Sequence, residues 1–391
     1  MSKLIVLLGM KARVKRLQFL GYYHLKHRNY EVWDLSSLCG DYRNNIDYPD
    51  EVASTTALIK VRSFGELERR FRDHRSLSPY YLLTRVHDDA TRDRLFQLIG
   101  RHDGHLVYKH ERIHPHQASK SVIDQVRARL GYVRRLVSDT VRGVRDVYPS
   151  DVFIPTRPHI RYVRHADFRT SIHPIHTVDY DKYLDVRSVT ANEFGSEPYA
   201  VFLDQNLPHH AELRNRYGDD WVSVEDYYDA VRAFFRRFLE AAPFDVSTVK
   251  VAAHPNTDLD VARRYWKDVE VFQGQTPALV HNSRCVLAHF SLSVFFAAMA
   301  DVPICFFTTP SLSTTDIYDR IQEMADVFNR QVNDLDTPEV DAGRDPAAYQ
   351  SIYRRYIKAP GTPDVNSCVY MYETLTDDDA SVPADVALHR S

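Results

Sequence analysis

Two histidines and two serines stand at the ends of short apolar runs, where their side chains could hold an anion. The run Val249-Lys-Val-Ala-Ala-His-Pro-Asn256 breaks off in His254, Pro255 and Asn256, and Arg284-Cys-Val-Leu-Ala-His-Phe-Ser-Leu-Ser293 breaks off in His289, Ser291 and Ser293. Runs this short and continuous predict strands buried on both faces. The uncharged stretch Val294-Phe-Phe-Ala-Ala-Met-Ala300 then predicts a helix, and Val302-Pro-Ile-Cys-Phe-Phe307 another buried strand. Strand, polar loop, helix and strand make a βαβ unit. The loop of such a unit lies at the carboxyl edge of a parallel sheet, where backbone N–H groups and the helix dipole hold phosphate. His254, Pro255, Asn256, His289, Ser291 and Ser293 are therefore expected around one pocket for a phosphorylated ligand.

Each of these residues also has a plainer reading. His289, between Ala288 and Phe290, fits a hydrogen-bonded core imidazole, and Ser291 and Ser293 fit helix caps, whose geometry overlaps with phosphate binding. A His-Pro after a strand fits a turn. The strand Tyr199-Ala-Val-Phe-Leu-Asp204 ends in a carboxylate at the same expected edge, which makes Asp204 the candidate general base, against a cap or a hinge salt bridge. His114, His116 and the His209-His210 pair have no carboxylate or cysteine at ligand spacing, so they read as surface histidines and no metal site is expected.

The elements that must position these groups are legible in outline. Lys3 to Leu8 and Tyr30 to Leu35 predict strands, with a helix from Leu17 to Lys26 between them; further strands are expected at Ala57 to Val61, Tyr80 to Thr84 and His105 to Tyr108. Apolar residues at threes and fours from Ile123 to Val144 predict a long helix over 121–147. Its other face carries Arg127, Arg129, Arg134, Arg135, Arg142 and Arg145, read as a solvated face or, more sharply, as a contact for anionic lipid. Residues 155–174 are irregular and basic, and His176 to Leu184 is taken as a loop and last strand closing the first domain. Ser223-Val-Glu-Asp226 starts a helix running to Ala241. The expected organisation is an acceptor-binding Rossmann-like domain over 1–195, a nucleotide-sugar-binding Rossmann-like domain over 196–374 with the hinge near Asn192 to Pro198, and an acidic disordered tail over 375–391.

Composition narrows the function classes. At 391 residues and 44% hydrophobic, the chain can bury two cores. A net charge of -3 gives no general basic excess, which argues against a nucleic-acid binder. Cys39, Cys285, Cys305 and Cys368 are widely spaced and read as thiols of a reducing compartment. Met1 to Leu8 is too short for a secretory signal or a membrane span, so the expected location is cytoplasmic, with peripheral contact at the inner membrane face.

The string Phe202-Leu-Asp-Gln-Asn-Leu-Pro-His209, the His254-Pro255 pair, and His289-Phe-Ser-Leu-Ser293 followed by Pro303-Ile-Cys-Phe-Phe-Thr-Thr309 together resemble glycosyltransferases of bacterial capsule and O-antigen synthesis with the GT-B fold. The His-Pro and the serine pair are similar to those of bacterial sialyltransferases, polysialyltransferases and Kdo transferases, which use CMP-sugars. The resemblance covers roughly Tyr199 to Thr309. It implies two Rossmann-like domains facing a cleft, and a metal-independent transfer from a nucleotide-sugar donor, a CMP-linked sialic-acid-like or Kdo sugar, to a glycan or lipid-linked acceptor. His254 would contact the donor phosphate, Ser291 and Ser293 would hold it, and no cofactor is needed.

The chain departs from that family in two places. The acidic-acidic-Gly motif that supplies the family's base is absent, Gly218-Asp-Asp220 being the reverse order, and Asp179-Tyr-Asp181 is the one literal Asp-x-Asp in the expected first domain. The helix after Ser293 lacks the ribose-clasping Glu of UDP-sugar enzymes of this fold, which favours CMP. In a two-domain transferase the first domain takes the acceptor, so Arg157, Arg161, Arg164 and Arg169 are the expected contacts to an anionic acceptor. The competing readings are a nucleotide-sugar epimerase or hydrolase of the same fold, and a non-catalytic partner in a polysaccharide assembly complex.

Overall fold

The computed structural model describes residues 3–9, 17, 20–39, 57–84, 86, 89–109, 149–155, 170–187, 193–336 and 339–376. They form two compact α/β units, each around a wholly parallel sheet. The strands of the first sheet are β1 (Leu4–Leu8), β2 (Tyr30–Asp34), β3 (Leu58–Lys60), β4 (Tyr80–Thr84), β5 (His105–Lys109), β6 (Asp151–Ile154) and β7 (Ser171–Pro174), in the spatial order β3-β2-β1-β4-β5-β6-β7. Alternation along β1 sends its side chains to two cores, as the two-residue period of a strand requires. Ile5 and Leu7 join Leu67 and Phe71 of α1 (Phe64–His74) and Leu95 and Leu98 of α2 (Asp89–Arg101). Leu4, Val6 and Leu8 face the opposite core.

That opposite core is closed from the far end of the chain. In the last described helix, Ser367–Thr376, the side chains of Cys368, Met371, Tyr372 and Leu375 are buried with Leu4, Val6 and Leu8. Each such side chain contributes roughly 1.5–3 kcal/mol by leaving water. The first unit accordingly takes the described residues up to Val178 together with those from Ala359 onward, while Asp179–Lys358 form the second. This division departs from the expected boundaries at 195 and 374. The stretch 176–184, expected as a loop and strand, is mostly α3 (Val178–Val186), and Tyr180 on it is buried in the core of the second unit. Asp179 and Asp181 in its first turn are buried, and Asp179 Oδ1 pairs with Lys182 Nζ at 2.7 Å, so the Asp-x-Asp string is folded into a helix.

Other expectations shift locally. Of the helix expected over Leu17 to Lys26, the described residues show Leu17 helical and a turn of helix at Tyr22–Leu25, and β6 and β7 occupy stretches that carry no clear strand pattern. The helix expected over 121–147, the arginines at 157–169 and the acidic tail beyond Thr376 lie outside the described residues. No helix among the described residues is long and apolar enough to cross a membrane.

The second sheet repeats the winding of the first. Its strands are β8 (Tyr199–Leu203), β9 (Thr248–Ala253), β10 (Val271–Gln273), β11 (Cys285–Ala288), β12 (Ile304–Phe307) and β13 (Val332–Asn333), in the order β10-β9-β8-β11-β12-β13. The connecting helices are α4 (Ala211–Tyr217), α5 (Val224–Ala241), α6 (Leu259–Trp266), α7 (Thr276–His281), α8 (Phe295–Ala300), α9 (Ile317–Val327) and α10 (Pro346–Ile352), which makes the Ser367–Thr376 helix α11. Ser223 caps α5 by accepting from the Asp226 amide at 3.3 Å, where the sequence places the helix start. Winding outward in both directions from β8 creates a switch point between β8 and β11, and a crevice outside their carboxyl ends.

Met371 is fully buried on α11. Met371→Ala is expected to lower unfolding free energy by about 2–4 kcal/mol, the range for truncating a buried apolar side chain. Equilibrium denaturation measures it, and an unchanged midpoint would show that α11 does not close this core.

Candidate functional site

The carboxyl edge of the second sheet gathers the loops after β8, β9, β11 and β12. Outside β8, Asp204 donates its amide to the Ala252 carbonyl of β9 at 3.1 Å and accepts the Asn206 amide on Oδ1 at 2.8 Å. That bond closes a tight turn in which Asn206 adopts a left-handed backbone, φ 52°, a conformation Asn tolerates better than most residues. The chain then makes a short helical turn, Leu207–His209, and Leu207 and Pro208 are buried beneath it. His209 and His210 emerge from this turn. Gln205 points the other way and accepts the Phe290 amide at 3.2 Å, so its side chain spans the switch point between β8 and β11.

Asp204 is therefore at the expected edge but not exposed on it. It is 4% exposed, and its Oδ2 is buried with no hydrogen bond of regular geometry. Burial pushes its carboxyl up to about 6, against smaller lowering contributions from the Asn206 amide and the Trp266 indole. The indole N–H of Trp266 likewise lacks a regular hydrogen bond, so the two groups face each other without closing one. Burial first, and then the charge of Asp204, raise the phenols of Tyr227 and Tyr228, which puts both tyrosines beside the carboxyl. A carboxyl covered in this way supports the turn that carries the histidines.

His254 follows β9 directly, and the loop after it is pinned. Gln273, the last residue of β10, donates its amide to the carbonyls of Thr257 at 2.8 Å and His254 at 3.0 Å, and Thr257 donates back to the His254 carbonyl at 2.9 Å. The Asn256 amide donates to His254 Nδ1 at 3.2 Å. With Nδ1 accepting, the neutral ring carries its proton on Nε2, which is a donor. Burial, and secondarily the nearby His210, hold the His254 pKa below its ordinary value, so the ring is neutral at pH 7. Pro255 and Asn256 belong to this loop through backbone groups: Asn256 fixes the tautomer, and the Pro255 carbonyl lies 3.4 Å from the Gln273 amide.

The residues after β11 divide. His289 is 0% exposed; its Nδ1 lies 2.7 Å from the Phe307 carbonyl and its Nε2 3.2 Å from the Tyr227 hydroxyl. Burial depresses this imidazole to about 4, with the Phe307 carbonyl pulling slightly the other way. Both nitrogens are engaged inside the core, and the neutral ring cross-links β11, β12 and α5. Ser291 accepts the Ser293 amide on Oγ at 3.2 Å and caps the short turn leading into α8, while both serines remain half-buried at the edge. Residues Phe295 to Met299 of α8 are buried, with no acidic residue among them.

Three features lie beyond the sequence reading. His209-His210, read as surface histidines, are half-buried at the edge, and the His210 ring lies 6.0 Å from that of His254, centroid to centroid. Gln205 and Gln273 fix the two loops, a role with no sequence signature. The loop after β12 carries Thr308, Thr309 and Ser311, with Thr309 Oγ1 3.1 Å from Ser311 Oγ; its clustered hydroxyls were a usable signal. Among the described residues, no group of three or more His, Cys, Asp or Glu is arranged to hold a metal ion.

The Asp204 shift has a direct consequence for stability. The folded-state pKa lies above the unfolded value, so the folded state is penalised above about pH 6, where the buried carboxyl is ionised, and the penalty fades as pH falls toward 4. Asp204→Asn keeps the acceptor for the Asn206 amide and removes the charge. It should raise the melting temperature at pH 7.5 and lose that advantage between pH 6 and pH 4; a pH-independent difference would refute the burial penalty.

No family model matches the chain, and no curated protein matches it. Among solved structures it is similar to UDP-GlcNAc 2-epimerase from Methanocaldococcus jannaschii in complex with UDP-GlcNAc and UDP, at 12% identity over 95% of this chain and 99% of that one, with a TM-score of 0.46. It is also similar to Anabaena HepE in complex with UDP, at 10% identity over 96% and 99%, with a TM-score of 0.42. A third is the E. coli ADP-heptose LPS heptosyltransferase II, at 12% identity over 81% and 87%, with a TM-score of 0.31. No residue role is carried across from them.

Proposed function

We propose that this chain is a glycosyltransferase that takes a sugar from a nucleotide-sugar donor held at the carboxyl edge of its second sheet. The observation that carries the reading is His254, a neutral imidazole at the end of a central strand whose tautomer is set by the Asn256 amide so that Nε2 carries the ring proton. Group transfer from a nucleotide needs a fixed donor where charge develops on the departing phosphate, and a preorganised N–H supplies it without reorganisation. Ser291 and Ser293 stand at the same edge, and the backbone and hydroxyl groups around them suit further phosphate oxygens. The absence of an acidic residue on the buried face of α8 favours a CMP-linked sugar, sialic-acid-like or Kdo, over a UDP-sugar, whose ribose a carboxylate there would clasp.

The acceptor, a glycan or lipid-linked saccharide of a bacterial surface polysaccharide, is assigned to Arg157, Arg161, Arg164 and Arg169, whose planar forks suit carboxylate or phosphate. With Asp204 covered, a half-buried imidazole of the edge is the remaining proton acceptor close at hand. Transfer without a divalent metal belongs to the same proposal; the Asp179-Tyr-Asp181 string is buried in α3.

A panel of CMP-, UDP- and ADP-sugars tests the donor class by thermal stabilisation. A donor at a hundred times its Kd stabilises by about 2.7 kcal/mol, and no response to any of them would sink the reading. With the donor found, His254→Ala should cut turnover by about 100-fold while the fold persists; near-normal turnover removes His254 from the site. Arg161→Ala combined with Arg164→Ala should raise the acceptor KM and leave donor binding alone, whereas loss of thermal stability at an unchanged KM would make that loop structural.

A further inference from the structure

We infer that His210 and His254 act together as a two-imidazole clamp on a single phosphate group, so that nucleotide binding at this edge takes up a proton. The inference rests on the reading of the edge as a nucleotide-sugar site and names a residue and a linkage that the reading does not contain. The two rings lie 6.0 Å apart, centroid to centroid, at an interplanar angle of 66°. Two hydrogen bonds of about 2.8 Å to different oxygens of one tetrahedral phosphate suit rings at such a separation. Groups flanking an in-line displacement from opposite sides would have to stand farther apart. The pair therefore fits the departing phosphate and not one group on each side of the transferred sugar.

The two imidazoles are prepared differently. His254 is fixed as an Nε2–H donor by the Asn256 amide. His210 has a buried Nδ1 with no hydrogen-bond partner, and so has His209 at Nε2. An unpaired nitrogen in a covered position costs free energy unless a ligand or a proton satisfies it. The His210 backbone is held on both sides: its amide donates to the Leu207 carbonyl at 3.2 Å, and its carbonyl accepts from Leu213 and Arg214 at 3.0 Å each. The ring is thus presented by a turn that Asp204 and Asn206 keep closed.

The electrostatic surroundings set the direction of the linkage. Of the charged and titratable groups near His210, His254 at the end of β9 has its ring 6.0 Å away, and His209 stands beside it in the chain, itself acted on in opposite senses by Arg214 of α4 and Glu225 of α5. Burial disfavours the charged forms of both His209 and His254. A phosphate dianion beside an imidazole whose second nitrogen is unpaired, as in His210, favours its protonated form. The bound-state pKa then exceeds the free value, binding consumes a proton, and affinity falls as pH rises through the bound-state pKa, by up to about tenfold per pH unit for one proton.

Isothermal titration of the full-length protein with CMP, UDP and inorganic phosphate, between pH 6 and pH 8 and in two buffers of different ionisation enthalpy, counts the protons. The expected result is net proton uptake with CMP or UDP, and affinity that declines with pH. His210→Gln retains a hydrogen-bonding side chain but cannot take charge, so it should still bind and lose most of the uptake. His210→Ala should bind at least tenfold more weakly, with a melting curve confirming that it is folded. His254→Gln serves as the second variant: it should weaken binding while leaving the uptake in place, because the Asn256 amide already occupies Nδ1 of His254. Nucleotide binding without proton uptake, or uptake unchanged in His210→Gln, overturns the clamp and leaves the proposed function standing. Binding of inorganic phosphate alone overturns the assignment to a nucleotide. Failure of all three probes to bind removes the clamp together with the function it rests on.

Discussion

A carboxyl group out of water at the end of β8 organises the edge on which the function is proposed. Asp204 carries a folded-state pKa of about 6, which amounts to about 3 kcal/mol of lost stability at neutral pH, at 1.36 kcal/mol per pKa unit. Its compensation is geometric. One oxygen closes the Asn206 turn, the turn buries Leu207 and Pro208, and the chain leaving it carries His209 and His210 to the mouth of β9. A hydrophobic residue at 204 would remove the penalty and with it the acceptor that holds Asn206 in a left-handed conformation. Destabilised groups of this kind concentrate where function constrains the choice of residue.

Around that turn the sheet supplies rigidity. β8 and β11 are buried on both faces, and the cross-links behind them are polar but neutral. His289 joins Phe307 of β12 to Tyr227 of α5, and Gln205 joins the loop after β8 to the loop after β11. On the other side of β8, Gln273 ties the His254 loop to β10. Side-chain amides suit this task because each both donates and accepts without bringing in a charge.

The first unit shows a different economy. Its sheet has one face covered by α1 and α2, which are local in sequence, and the other closed by α11, which comes from the end of the chain after the whole second unit has been built. The two units therefore cannot be separated by a single cut in the sequence. A chain whose ends meet in one core gains long-range order at the cost of slower, non-local assembly.

The sequence alone determined the parts of the molecule that depend on local pattern. Continuous apolar runs marked β1, β2, β4, β5, β8, β9, β11 and β12, because strands buried on both faces have no polar alternation to disguise them. Ser223 marked the start of α5, and His254 declared itself by interrupting a strand end beside a proline. β7 and β13 escaped, since the first is only partly buried and the second has two residues, so neither carries a continuous apolar run. Tertiary structure decided the rest. Whether a histidine at a strand end faces a ligand or the core depends on what the neighbouring strands and helices place against it, and that separated His254 from His289. The burial of Asp204 is set by elements remote in sequence, Trp266 and the tyrosines of α5, and the loop after β9 approaches His210. The pairing of His210 with His254 exists only because β8 and β9 lie side by side in parallel, roughly 4.8 Å apart, so that the residues leaving both strands emerge at the same edge.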